Sequence, residues 1–188
     1  MNSKIVKGKI ETESLTLAEA VLDECDDLER VLLSWTDKEL IEGQGVESGY
    51  FERCINNGDL PPIRDAKIDN YKFFSIYLKE ENKLIGYFDL YFGYPTDDTV
   101  WISIFVIDGS YRKKGYAQEV IDKLSQEFMK NGFCKLGVGV YLNNWRALRF
   151  WTKVGFDKVL GVFCDGDFHP DKYAIIRLEK NCKSIFAE

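Results

Sequence analysis

Asp108-Gly109-Ser110-Tyr111-Arg112-Lys113-Lys114-Gly115-Tyr116-Ala117 joins an apolar run at 100–107 directly to a helical pattern that begins at Gly115. Only Ser103 is polar in that run, which predicts a strand buried on both faces. After the junction, Ala117, Val120, Ile121, Leu124 and Phe128 recur at helical spacing with charges between them, which predicts an amphipathic helix over 115–130 capped by Asn131-Gly132. A strand that turns into a helix in so few residues makes an anion site. The first helical N–H groups have no intrahelical partner and lie at the positive end of the macrodipole, so several can donate to one pyrophosphate. Gly115 leaves the backbone open to close approach, Ala117 keeps the next turn small, and Arg112 and Lys113 add positive charge at the rim. The competing interpretation is a plain turn with a solvated basic run, since lone glycines at turns are common.

Downstream of this junction, residues 135–142 predict another strand. Asn143-Asn144 can cap a helix over 145–154, and Gly155 closes it with positive φ. Strands at 158–163 and 173–178 follow, separated by a polar loop at 165–172. Upstream, residues 73–79 and 84–92 are rich in aromatic and β-branched side chains around Glu80-Glu81-Asn82, which predicts a β-hairpin, with a polar loop at 93–98. Earlier still, mixed three and four spacings predict short helices over 15–22, 28–35 and 46–55, the last stopped by Asn56-Asn57-Gly58-Asp59 and Pro61-Pro62. The order strand, helix, strand, helix, strand implies an α/β chain with helices packed on a mixed sheet.

With 188 residues, 45% of them hydrophobic, the chain can bury one proper core, and a single domain over 1–188 is expected. A net charge of −6 leaves no basic footprint, so nucleic acid is not an expected partner. Residues 1–13 lack the apolar core of a signal peptide, and no segment has the apolar length of a membrane span, so the expected location is the cytoplasm with no membrane partner. The five cysteines are widely spaced and form no C-x-x-C pair, which fits reduced thiols rather than a disulfide framework or a zinc site. His169 is the only histidine, so no histidine-rich metal site is expected.

Arg112-x-x-Gly115-x-Ala117 resembles the Q/R-x-x-G-x-G/A motif of the GNAT acetyltransferases, including its place between a strand and a helix. Further on, Asn144-Trp145-Arg146-Ala147-Leu148-Arg149-Phe150-Trp151-Thr152-Lys153-Val154-Gly155-Phe156 resembles the family's second signature, N-x-x-A-x-x-(apolar)-Y-x-K-x-G-F. The resemblance covers 100–156 and is weak before Tyr71. It implies the GNAT fold: a mixed, mostly antiparallel central sheet flanked by helices, with a splayed strand pair that takes up acetyl-CoA, the pantetheine arm lying along it like an added strand. On this sequence it implies main-chain contacts from Phe105, Val106 and Ile107, and a pyrophosphate cradle of Arg112, Lys113, Lys114, Gly115, Tyr116 and Ala117. Asn144 matches the family asparagine near the arm, and a plain helix N-cap explains it equally well.

The resemblance also implies acetyl transfer from acetyl-CoA, without a metal, to a primary amine of a small molecule or peptide by direct attack. Members often carry a carboxylate base on the central strand and a tyrosine acid on the last helix. Here those slots hold Trp101, with Ser103 two residues on, and Trp151, so Trp101, Ser103, Tyr141 and Trp151 are catalytic candidates without an assigned role. Asp89, Tyr91, Asp165, Asp167, His169 and Tyr173 are further polar candidates, each with a turn or core alternative. Carboxylates and aromatics between Asp89 and Asp98 would gather a cationic amine, although most of Tyr87, Phe88, Tyr91, Phe92 and Tyr94 are expected in the core. The alternative is a non-catalytic acyl-CoA-binding or sensor domain. Monomer and homodimer both stay open.

Overall fold

The computed structural model describes residues 8–43, 45–164 and 173–182. Strands β1 (Lys9–Glu11) and β2 (Leu15–Glu19) precede helices α1 (Cys25–Leu33), α2 (Lys38–Glu42) and α3 (Tyr50–Asn57). Then come β3 (Tyr71–Leu78), β4 (Lys83–Phe92), β5 (Thr99–Ile102), β6 (Phe105–Ile107), α4 (Tyr116–Lys130), β7 (Lys135–Tyr141), α5 (Trp145–Lys153), β8 (Lys158–Phe163) and β9 (Ile175–Asn181). The sheet runs β1-β2-β3-β4-β5-β7-β9-β8, with β6 off this path and paired to β4. Among the described strands only β5 and β7 are parallel neighbours; the other pairs are antiparallel. The expected mixed, mostly antiparallel sheet flanked by helices is therefore present.

The aromatic hairpin is the centre of this arrangement. Period-two alternation sends Phe74, Ile76, Phe88 and Leu90 to one face, where Val120, Ile121, Leu124 and Phe128 of α4 and Trp151 of α5 cover them. Phe73, Tyr87 and Tyr91 go to the other face, under Leu28, Val31 and Leu32 of α1 and Phe51 and Cys54 of α3.

The helix expected over 15–22 is instead a strand. Leu15 and Leu17 are fully buried on one face of β2, which pairs with β3 from Leu15↔Leu78 to Glu19↔Phe74. Sheet pairing outweighs the local helical preference of Leu, Ala and Glu. The helix expected over 46–55 starts later, at Tyr50, and the last strand occupies 175–181 rather than 173–178. The loop expected over 165–172 lies outside the described residues, as do Asp165, Asp167 and His169.

The strand expected over 100–107 is two strands. At the break, the Asp89 carboxylate accepts from the backbone N–H of Ser103 (2.8 Å) and Ile104 (2.9 Å), groups that would otherwise extend the ladder. Beyond it, β6 keeps only β4 as neighbour, from Phe88↔Phe105 to Gly86↔Ile107, while β7 pairs with β5 no further than Ile102↔Val138. The sheet consequently parts between β6 and the end of β7. Here the expected splayed pair is realised.

Trp101 lies flat across two glycines of β7. A Cβ on Gly137 would stand 2.6 Å from its Cε3, and one on Gly139 would stand 3.4 Å from Cζ2. Gly137→Ala must displace the indole, and should lower unfolding stability by about 1–3 kcal/mol in a urea titration. An unchanged midpoint would mean that the ring is free to move.

Candidate active site

The junction between β6 and α4 is held from behind by α1. Asp108 accepts from Ser110 N–H at 2.9 Å and pairs with Arg30 at 2.8 Å, and Arg30 also donates to the Leu84 carbonyl at 2.8 Å. Ser34 Oγ accepts from Gly109 N–H at 2.9 Å. Two positive-φ residues, Lys113 (64°) and Gly115 (93°), then turn the chain into α4. Gly115 is its N-cap and offers no side-chain acceptor, so the N–H groups of Tyr116, Ala117 and Gln118 face outward without an intrahelical partner. A Cβ at Gly115 would meet nothing within 4 Å, so its backbone conformation, rather than internal crowding, demands glycine.

These donors open onto a groove of about 590 Å³ between α4, α5 and β6. Phe105, Val106 and Ile107 line it from β6, and Arg112, Lys113, Gly115, Tyr116 and Ala117 from the junction. Asn144 and Trp151 line it from the α5 side, with Trp35 from the end of α1. Lys114 does not: its Nζ lies 4.9 Å over the Tyr111 ring. The lining carries five cationic side chains, Arg112, Lys113, Arg146, Arg149 and Lys153, and among the described residues no carboxylate, although Arg146 is paired with Asp37 beside it. In a chain of net charge −6, this is a local reversal of sign. Arg112 is half-buried, and burial first, then the Arg146 guanidinium, pushes its pKa below the ordinary value. A bound polyanion would relieve both costs.

Backbone direction sharpens the expectation for β6. Ile104 accepts from Asp89 N–H (3.2 Å) and Asp108 donates to Ile85 (2.8 Å), so Ile104, Val106 and Asp108 turn their backbone groups toward β4. By alternation, Phe105 and Ile107 face the opening. The Ile107 carbonyl is taken by Arg112 Nε at 2.8 Å, which leaves the Phe105 N–H and C=O and the Ile107 N–H for a ligand. Asn144 does cap α5: its side chain accepts from Ala147 N–H at 3.0 Å.

The four catalytic candidates divide between the two faces. Trp151 is buried beside the groove, edge-on to Phe105 (5.7 Å) and Phe156 (4.8 Å). Ser103 is exposed at the strand break. Trp101 and Tyr141 stand on the opposite sheet face, Trp101 edge-on to Tyr94 at 5.3 Å and Tyr141 edge-on to Tyr173 at 6.1 Å. Asp89 is fully buried, with Tyr71 O–H donating to its second oxygen at 3.2 Å. Burial pushes its carboxyl up to about 7, against the two backbone donors that favour its anion. Asp98 is paired with Lys135 at 3.0 Å, and Tyr91 Oη accepts from Lys67 N–H at 3.0 Å. Asp89, Tyr91 and Asp98 are therefore engaged within the fold and do not serve as the expected cation trap. Arg146, Arg149 and Lys153 enter the sequence reading only as positions of the second motif, and their three and four spacing is the signal that marks this cationic helical face. Arg177 carried no such signal.

A family model described as the acetyltransferase (GNAT) family matches residues 18–156. A search of curated proteins gave no match. Among solved structures, a GNAT-family acetyltransferase from Bacillus anthracis aligns with a TM-score of 0.68 at 20% identity, over 93% of this chain and 98% of that one. A probable GNAT-family acetyltransferase from Chromobacterium violaceum aligns with a TM-score of 0.76 at 10% identity, over 96% and 89%. The Microcin C7 self-immunity acetyltransferase MccE, in complex with acetyl-CoA and AMP, aligns with a TM-score of 0.63 at 16% identity, over 90% and 93%. At these identities the neighbours speak for the fold, and the family model, which spans most of the chain, decides the rest: the protein belongs to the GNAT family of N-acetyltransferases.

Proposed function

We propose that the protein transfers an acetyl group from acetyl-CoA to a primary amine of a small molecule or peptide by direct attack. The observation that carries this is the groove with five cations, no carboxylate and unspent helix N–H groups, opening onto the gap in the sheet. Pyrophosphate would lie against residues 113–118, with Arg112 and Lys113 beside it. The arm would pair with Phe105 and Ile107, and the Phe105 N–H would stabilise the thioester oxyanion. That a neighbour of the same fold was solved with acetyl-CoA supports this use of the groove.

The amine would approach from the other sheet face, through the gap. Neither of the slots at Trp101 and Trp151 can abstract or deliver a proton efficiently, since an indole offers only an N–H donor. Proton transfer is assigned to solvent, with positioning supplying much of the rate. Trp151→Phe should accordingly lower turnover by less than about tenfold, whereas a loss beyond about a thousandfold would exceed what one general acid contributes and assign the indole a transition-state role. We further propose a cytoplasmic location, which the free thiols of Cys25, Cys54, Cys134 and Cys182 support. Among the described residues, no helix is long and apolar enough to cross a membrane.

The test is thiol release from acetyl-CoA across a panel of primary amines. Amine-dependent release is expected. Saturable binding without release under any amine would favour the sensor alternative instead.

A further inference from the structure

Arg177 of β9 sits behind the gap, on the face opposite the groove. It pairs in register with Gly139, and Trp101 pairs with Gly137, so Arg177, the two glycines and the indole share one face. Its guanidinium carbon lies 4.1 Å from the Phe163 ring centroid, 5.7 Å from Trp101 and 5.9 Å from Tyr94. These rings hold the guanidinium by cation–π attraction, and among the described residues no hydrogen bond uses its N–H donors. Among the described residues no carboxylate pairs with it. Glu179, two residues on and buried on the same face, is engaged by Lys158 at 2.8 Å. Asp89 and Asp98 are engaged as described above. A partly buried guanidinium fixed by aromatic rings, with its planar donor edge free, matches a carboxylate better than any cation.

Its position ties it to the reaction. Gly139 is where β7 loses β5 as neighbour, so the gap begins one strand away from Arg177. The backbone of β9 lies one strand spacing, about 4.8 Å, from β7, the strand that borders the gap. Over Gly137 and Gly139 the Trp101 indole takes the place of a side chain, so the ring forms the floor beside Arg177.

We propose that Arg177, boxed by Tyr94, Trp101 and Phe163, is the specificity-determining anchor for a carboxylate of the acceptor, so that the acceptor is an amino acid whose free amine and carboxylate lie a few bonds apart. This rests on the proposed acetyl transfer for the position of the amine. It reverses the expectation of a purely cationic acceptor: the amine is delivered by the anion it carries.

The experiment compares the standard amino acids with their α-amides as acceptors, in the wild type, Arg177→Met and Arg177→Lys, by thiol release from acetyl-CoA. In the wild type, at least one amino acid should exceed its amide by tenfold or more in kcat/KM. Arg177→Met should remove that preference mainly through KM, leaving the amide rate and the KM for acetyl-CoA unchanged, and Arg177→Lys should restore part of it. Equal use of acids and amides, or an equal loss for both in Arg177→Met, would overturn the anchor and leave acetyl transfer standing. If no amine is acetylated, the proposed function fails, and the anchor is then read by calorimetric titration of the same amino acids. Binding that Arg177→Met abolishes supports it, and absence of binding overturns it.

Discussion

Asp89→Ala should destabilise the fold by about 2–4 kcal/mol, read as a drop in the denaturation midpoint, because it strands the N–H groups of Ser103 and Ile104 and leaves a cavity at a fully buried site. Asp89→Asn should cost far less. Its amide oxygen can accept both backbone donors, and its NH₂ can donate to the Tyr71 hydroxyl that now donates to the carboxylate. The pair of variants also separates charge from geometry. The Asp89 carboxyl ordinarily titrates at 3.8 and is raised to about 7 in the fold, so the folded chain keeps a proton that the unfolded chain releases in this window. This component of stability is therefore full at pH below about 4, declines by up to about 1.4 kcal/mol per pH unit as pH rises, and levels off above about 7. Asp89→Asn should flatten that slope. A wild-type stability that is constant from pH 4 to 7, once other groups are matched by the variant, would place the carboxyl pKa near its ordinary value.

Acetyl-CoA at a hundredfold excess over its dissociation constant should stabilise the wild type by about 2.7 kcal/mol, visible as an upward shift of the thermal midpoint. Gly115→Glu should abolish the shift. It places a carboxylate at the N-terminus of α4, where the phosphates would sit, and forces a side chain to adopt φ 93°. Because the second effect lowers intrinsic stability, Arg149→Glu serves as a milder control: it reverses one charge on the exposed wall of α5 and should weaken binding without moving the midpoint of the unliganded protein. A full shift retained by both variants would move the phosphates out of this groove.

What the sequence disclosed follows from where the determinants lie. The helix α4, its amphipathic face and the motif at Arg112, Gly115 and Ala117 are local, set by residues within a few turns of one another, and they were legible. So was the hairpin β3–β4, whose alternation spans many residues. β2 reads locally as a helix because its alternation is only five residues long and its Leu, Ala and Glu residues are good helix formers. The break at Ser103 is hidden for a different reason: its cause, Asp89, lies on the preceding strand, and within 100–107 a single serine is an interruption that a continuous strand tolerates. Arg177 is the extreme case, since Tyr94, Trp101 and Phe163 reach it from three separate segments and only sheet topology brings them together. Local chemistry thus marks the proposed cosubstrate groove, and non-local chemistry shapes the opposite face of the gap.

The most direct measurement is a crystal structure of the protein with acetyl-CoA. The account predicts pyrophosphate oxygens within hydrogen-bond distance of backbone N–H groups between Lys113 and Gln118, the arm paired with Phe105 and Ile107, and the acetyl group at the gap between β6 and β7. Phosphates bound elsewhere, or an arm that leaves the Phe105 and Ile107 backbone unpaired, would contradict it.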